Sequence, residues 1–224
     1  MMNAPFSSLR GSSASVDKVI AYLKACVADG RLSPGQKLVE ADICNSLDLK
    51  RGPVREGLRM LAGQGVLELI PNRGAWVRKL DRQALADMVQ TLACLNAGAL
   101  FSAIRKNDEQ MLAAQLEPIM AAMRHAKAER DYLLLTEKIE NYHRAVIDLS
   151  GNPYLTYLLE SLHVYHYRRS MAAELKVENW DLYLSGYEEA HEAALVRDFP
   201  KAVMAFEVHS QRLQAALARE PAVF

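Results

Sequence analysis

The sequence has few cysteines, and none of them are paired along the chain. Its 224 residues include only Cys26, Cys44 and Cys94, with no CxxC pair. This pattern argues against a zinc finger or a disulfide scaffold and favours free thiols. The absence of an apolar run of about 18 residues argues against a membrane span. Residues 1–15 are polar and serine-rich and lack the apolar core of a signal peptide. We therefore expect a disordered arm on a cytoplasmic protein.

The sequence also lacks the motifs of common enzyme chemistries. It contains no nucleophile elbow, no HExxH helix, no glycine-rich phosphate loop and no pair of acid–base carboxylates. We therefore expect a protein that is not an enzyme. Half of the residues are hydrophobic and 24% are charged, which is enough apolar material for a folded core.

Net charge is zero over the whole chain, but it is not evenly distributed. Residues 1–80 hold 12 Lys or Arg and 7 Asp or Glu, a net charge of +5. The remaining residues hold 15 and 20, a net charge of −5. The basic front part is therefore the candidate for contact with nucleic acid.

The first third of the chain alternates helical spacing with turn residues. Apolar spacing predicts three helices, and Pro53 suits the first turn of the third, where a missing backbone N–H costs nothing. Two strands joined by a turn at Pro71–Gly74 then predict a hairpin. Three helices followed by a β-hairpin indicate a winged helix-turn-helix. We expect the helices at Val16–Asp29, Leu38–Leu47 and about Gly52–Gly63, and the strands at Val66–Ile70 and Ala75–Val77.

From Arg82 onward the apolar spacing is helical throughout and predicts six helices. The predicted fold class is therefore mainly α: an N-terminal winged helix-turn-helix followed by a C-terminal antiparallel all-helical bundle. We expect the first domain at residues 16–80 and the bundle at residues 81–220.

Two arginines define a candidate DNA-reading surface on the third helix. Arg51 lies at its start, and Arg55 lies one turn further on the same face, opposite the apolar stripe. A guanidinium can bond both acceptors of a guanine in the major groove, and a helix N-terminus favours phosphate. Arg73, beside Gly74 at the hairpin tip, is then placed to reach the minor groove or the DNA backbone. The partner that these residues predict is double-stranded DNA.

Five of the six histidines lie after residue 140, namely His143, His163, His166, His191 and His209. His143 follows Tyr142 on the third bundle helix, and His209 lies in the apolar stripe of the last. A buried imidazole needs a partner. Two interpretations stay open: core histidines with a hydrogen bond, or a metal or ligand pocket where facing helices converge.

The front of the chain resembles the GntR family of bacterial transcription regulators over about residues 16–80. This resemblance implies DNA contacts from Lys50, Arg51 and Arg55, with Arg73 and Gly74 in the wing. The family usually has Ser or Thr at position 50 and Ala at position 57. Gly57 weakens the helix by about 1 kcal/mol on intrinsic propensity. The matching segments are Asp29–Gly35, Lys50–Glu56 and Asn72–Gly74, with Leu38, Leu58, Leu61, Gly65 and Val77.

Residues 82–220 resemble the FCD-type ligand-binding domain of the FadR subgroup of that family. Many such domains bind a divalent metal through one Asp and three His. His143 and His209 match two of these ligands, whereas Ile139 takes the Asp position and Tyr187 that of the remaining His. Because two imidazoles make a weak site, the sequence favours no metal over a Zn²⁺ or Ni²⁺ ion at His143 and His209. The matching residues are Tyr142–His143, Ser150–Pro153, Leu155, Asp198, Ala202 and His209.

The same resemblance bears on the effector. By family analogy it is a small organic acid, but the usual arginine of the first bundle helix is missing around Ala93–Asn96, which removes a carboxylate clamp. Arg168 and Arg169 are further candidates, although surface charges are the simpler interpretation of both. His191 and Glu140 are near the lost ligand positions, but neither has the geometry expected of a replacement ligand. We expect the effector to be anchored by His143, Tyr187, His191 and His209.

The sequence predicts a cytoplasmic, nucleoid-associated homodimer that binds a palindromic operator and responds to a small molecule, with repression as the commoner family mode. Two rivals stay open. One is a DNA-binding dimer that has lost effector and metal sensing. The other is a helical metal-dependent enzyme, for which His143 and His209 are the only support.

Overall fold

The computed structural model describes residues 13–164, 167, 170, 171 and 179–219. It divides the chain into two units, Met1–Lys79 and Leu80–Phe224. Most of the arm expected at residues 1–15 lies outside the described residues. Its last two residues are helical, because the first helix already begins at Ala14, with Ser13 as its N-cap.

The described residues of the first unit form three helices and a small antiparallel sheet, as a winged helix-turn-helix requires, and this confirms the predicted fold class. The strand order in the sheet is β1-β3-β2. The elements are α1 (Ala14–Ala28), β1 (Lys37–Leu38), α2 (Glu40–Leu47), α3 (Arg51–Gly63), β2 (Leu67–Ile70) and β3 (Gly74–Val77).

The start of the second helix differs from the prediction. Leu38 was expected to begin it, but Leu38 lies in β1 opposite Ala75 of β3, and α2 begins at Glu40. Leu38 is buried in either arrangement, so burial alone does not distinguish a helix from a strand. A two-residue strand shows no alternation, and its pairing partner lies far along the chain.

The hairpin brings a turn to the end of the sheet. Strands β2 and β3 pair from Leu67 opposite Val77 to Ile70 opposite Gly74. The turn between them closes with a hydrogen bond of 3.0 Å from the Arg73 backbone N–H to the Ile70 carbonyl. Gly74 has a φ of 89°, a left-handed conformation that glycine adopts without strain.

The second unit is helical in its described parts, and aspartates begin several of its helices. The side chains of Asp81, Asp108 and Asp131 accept hydrogen bonds from backbone N–H groups in the first turns of α4, α5 and α6. The elements are α4 (Arg82–Lys106), α5 (Glu109–Ala128), α6 (Tyr132–Ser150), α7 (Pro153–Ser161), α8 (Trp180–Leu195) and α9 (Phe199–Arg219).

The core of this bundle forms where α4 packs against α6 and α9, α5 against α6 and α8, and α8 against α9. By length and composition alone, α4 is apolar enough to cross a membrane. However, it buries Leu85, Leu92, Leu100 and Ile104 against the other helices. A central helix of a bundle has this same composition, so the hydropathy of α4 follows from its place in the core.

Candidate functional site

Helix α3 buries its apolar stripe and exposes its basic residues. Val54 and Leu58 are buried in the core of the first unit, whereas Arg51 and Arg55 are exposed. Lys50 lies just before the helix in extended conformation and is also exposed. The first turn of α3 therefore presents backbone N–H groups and cationic side chains to solvent together, which suits an anionic partner.

The Arg55 side chain has a defined orientation, which the sequence did not predict. Its Nε donates a hydrogen bond of 2.9 Å to Oε2 of Glu40, the first residue of α2. Because both side chains are largely exposed, this ion pair adds little stability. Its effect is to hold the guanidinium in one place on the surface.

An open groove of about 410 Å³ runs between α3 and the hairpin. Arg55 and Gly74 both line this groove, so the structure brings together one predicted residue of the helix and one of the hairpin. Arg73 is exposed in the turn beside it, while Lys50 and Arg51 lie at the start of α3 and do not line the groove.

Arg59, which is not among the predicted residues, also lines the groove. It is exposed and lies one turn after Arg55, which itself lies one turn after Arg51. This spacing of four residues is visible in the sequence and would have identified Arg59 as a member of the same helix face.

In the bundle, three predicted effector residues meet around Tyr187 of α8. His143 Nε2 and the Tyr187 hydroxyl are 2.7 Å apart and share a hydrogen bond. The ring of His209, from α9, lies edge-on to the Tyr187 ring with a centroid distance of 4.9 Å. All three side chains are buried, so this cluster is an interior one.

His191 lies on the same helix as Tyr187 but has different partners. Its Nε2 is 2.6 Å from Oε2 of Glu117 on α5, and its Nδ1 is 3.5 Å from the Tyr142 hydroxyl. The hydrogen bond to His191 lowers the pKa of Glu117. The structure thus separates His191 from the cluster around Tyr187, and the sequence offered no signal for Glu117.

A small cavity lies beside Tyr187. It contains about 10 Å³ of free space, which is room for roughly one water molecule. Asn96, which no sequence pattern predicted as a site residue, is fully buried and lines this cavity. The described residues that line it are Val89, Leu92, Ala93, Asn96, Tyr167, Tyr183, Tyr187, Phe206, His209 and Leu213.

The two buried histidines of the cluster are neutral near pH 7. Burial, together with the nearby His209 ring, lowers the pKa of His143 to about 3. Burial and the positive charge of Arg212 lower the pKa of His209 to about 3. An uncharged imidazole has one donor and one acceptor nitrogen, so these rings offer hydrogen bonds and no net charge.

Both units match known protein families. Residues 15–77 match the sequence profile described as bacterial regulatory proteins, gntR family, and residues 85–212 match that of the FCD domain. The chain belongs to the GntR family. Its second unit carries an FCD domain, and the regulators of this family are not enzymes. GntR regulators bind DNA operators, and FCD domains bind small-molecule effectors, often as dimers.

The relatives of this GntR chain are distant in sequence and similar in fold. It is 26% identical over 141 residues to the HTH-type transcriptional regulator YdhC of Bacillus subtilis (strain 168), a match that covers 62% of each protein. The chain spans less than two thirds of the length of YdhC and of several other curated relatives that it matches.

Solved structures give the same fold. A GntR regulator from Rhodococcus sp. RHA1 aligns with a TM-score of 0.74 at 19% identity, over 92% of this chain and 98% of that one. Escherichia coli McbR aligns with a TM-score of 0.71 at 20% identity, over 93% and 99% of the two chains.

The residues around Tyr187 do not fit the metal that the family resemblance implies. Ile139 is apolar and buried, and Nε2 of His143 is engaged by the Tyr187 hydroxyl. Glu140 lies 3.6 Å from Arg144 in an ion pair on α6. Within the described ranges, no group of three or more His, Cys, Asp or Glu is arranged to hold a metal ion. A divalent cation here would have two neutral nitrogens at most.

Arg168 and Arg169, the two further candidates for ligand binding, lie outside the described residues, as does His166. A role of these side chains in ligand binding stays a prediction.

Proposed function

We propose that this GntR regulator is a ligand-responsive repressor that binds a palindromic operator as a homodimer. The observation that carries the proposal is the exposed basic face of α3 beside the hairpin. Arg51 and Arg55 would read base edges in the major groove, and Arg73 would contact the adjacent minor groove or backbone. Lys50 and Gly74 would hold the phosphate backbone close to these side chains.

The FCD domain would supply the response. A small molecule bound near His143, Tyr187, His191 and His209 would change operator affinity if it binds one conformation of the dimer better than another. Family analogy suggests an organic acid as effector. A cytoplasmic location close to the chromosome follows from the DNA partner.

Selection from random oligonucleotides tests this function. Purified chain should enrich an inverted repeat whose half-site centres are about one helical turn, or a multiple of it, apart. Sedimentation should then show two copies of the chain on one duplex. When the selected sequence is placed over a promoter, addition of the chain should reduce transcription in vitro. Enrichment of no sequence, or binding of a single copy, would reject the proposal.

A second function is favoured by the size of the cavity. Free space for roughly one water also suits a bundle that has lost sensing and serves only to join two DNA-binding domains. A thermal-shift screen separates the two functions, because a ligand at 100 times its Kd stabilises its binding domain by about 2.7 kcal/mol. If the bundle only joins two DNA-binding domains, no small molecule in the screen should stabilise it.

A further inference from the structure

The cavity beside Tyr187 contains polar atoms that lack hydrogen-bond partners. Asn96 donates its side-chain N–H to the Leu92 carbonyl at 2.8 Å, but its Oδ1 has no partner. Nδ1 of His209 also has none. Both residues line the cavity, and each is more than nine-tenths buried. A buried polar atom without a partner is costly, so both atoms call for a hydrogen-bonding group in the space between the helices.

The chemistry of Asn96 restricts that group. Because its amide nitrogen is already used, its Oδ1 can only accept, and the missing partner must bring an N–H or O–H. A carboxylate has no hydrogen to offer and would place negative charge against the amide oxygen. The described lining contains no lysine or arginine to neutralise that charge and no carboxylate to neutralise a cation. Burial of an unpaired charge is strongly unfavourable.

The rest of the lining favours a flat apolar body. Tyr183 and Tyr187 are T-shaped to each other at 6.1 Å, and Phe206 lies 5.7 Å from Tyr187. Such rings pack well against another ring. We propose that this cavity binds, without a metal, an uncharged planar molecule that donates an N–H or O–H to Asn96 Oδ1 and shares a second hydrogen bond with His209 Nδ1.

The size of the cavity connects binding with the response. Since the free space holds only about one water, a ring-sized ligand has to move side chains of α4, α8 or α9 as it enters. This inference rests on the proposed function, because it names the class of effector for the same FCD domain.

Three probes of nearly equal shape test the proposal on the full chain by calorimetry: benzamide, benzoate and acetophenone. Benzamide is uncharged and donates hydrogen bonds, benzoate is anionic, and acetophenone is uncharged but only accepts. We expect benzamide to bind, with each of the other two weaker by on the order of tenfold or more. Equal or tighter binding of benzoate or acetophenone would overturn the proposal, as would no benzamide binding up to its solubility limit.

Variants locate the site. Asn96→Leu should weaken benzamide binding by about tenfold, whereas Asn141→Leu, the same change at an exposed position of α6, should leave it unchanged. The comparison of probes on the unaltered chain keeps the proposal falsifiable if Asn96→Leu does not fold. Operator binding is measured on the same preparation. Its absence rejects the proposed function, whereas operator binding with a preference for benzoate rejects only this inference.

Discussion

Arg55 of helix α3 is joined to Glu40 of α2 by a hydrogen bond of 2.9 Å between Nε and Oε2. The carboxylate occupies Nε and leaves the terminal N–H groups of the guanidinium for another partner. The negative charge of Glu40 beside this arginine also weakens its attraction to any phosphate. We infer that Glu40 lowers the general affinity for DNA and also fixes the orientation of the Arg55 guanidinium.

Glu40→Gln should therefore lower specificity without unfolding the domain. Binding to random duplex should rise because a negative charge is lost, while binding to the selected operator should change less. The difference between the two binding free energies should fall by on the order of 1 kcal/mol, the upper range for an exposed ion pair. Fluorescence anisotropy at matched salt measures both affinities. Glu56→Gln is the control, since it removes the same charge from an exposed position of α3. An equal fall in the control would show that only net charge matters.

Gly57 marks a close approach of α1 and α3. A Cβ built on Gly57 would lie 2.6 Å from Cγ1 of Val19, closer than such atoms are found. Gly57→Ala should therefore destabilise the first unit by about 1–3 kcal/mol of overpacking, offset by about 1 kcal/mol of helix propensity. Denaturant titration gives the free energy of unfolding.

Gly63→Ala is the matched control for this change. It lies in the same helix, and a Cβ there meets no atom within 4 Å, so it should stabilise by up to about 1 kcal/mol. The double variant Val19→Ala, Gly57→Ala should regain stability relative to the sum of its two single variants. If Gly57→Ala alone were stabilising, the contact with Val19 would not limit the packing.

The first unit shows how far the sequence predicts a fold. The apolar stripe of Val54, Leu58 and Leu61 identified α3, because period and turn chemistry are local properties. The strand at Leu38 was missed, since its pairing with Ala75 depends on contacts distant in the chain. The bond from Arg55 to Glu40 was missed for the same reason, and no spacing rule connects the two positions.

Tyr187→His should create a metal site together with His143 and His209. The new imidazole would stand between His143 and His209, which contact Tyr187 from two helices. Three imidazoles are a common zinc ligand set. Elemental analysis after zinc or nickel incubation should give close to one equivalent for the variant. The parent should stay below about a tenth of an equivalent, since real sites bind tightly. A full equivalent in the parent would contradict the metal-free interpretation of the cluster.

Acid should destabilise the bundle well before general acid unfolding. Burial lowers the folded pKa values of His143 and His209 to about 3, from an ordinary value of 6.5. Between these values the unfolded chain binds more protons than the folded chain, so the free energy of unfolding falls as pH falls. Each histidine should contribute on the order of 1 kcal/mol per pH unit below about pH 6.5.

Urea titrations at about pH 7.5 and about pH 5 measure this dependence. His209→Gln should reduce the loss of stability in acid. His125→Gln, at an exposed position of α5, should not. An unchanged pH dependence in His209→Gln would mean that this ring is not buried as a neutral group.

The cavity beside Tyr187 was less predictable than the basic face of α3. Periodicity indicated that His143 and His209 face the core, and the structure places them around Tyr187. Which atoms lack partners depends on how α4, α8 and α9 pack, so no sequence pattern pointed to Asn96 Oδ1. Local spacing predicts which face of a helix is buried. Which buried polar atoms lack a hydrogen-bond partner depends on how the helices pack against each other.

We propose that the basic face of α3 binds the operator. The most direct test is the operator affinity of single arginine variants at one stated salt concentration. Arg51→Ala and Arg55→Ala should each abolish preference for the selected operator over random duplex while leaving the circular dichroism spectrum of the chain unchanged. Arg105→Ala, at an exposed position of the bundle, should bind like the parent. Parental affinity and preference in both α3 variants would contradict the account.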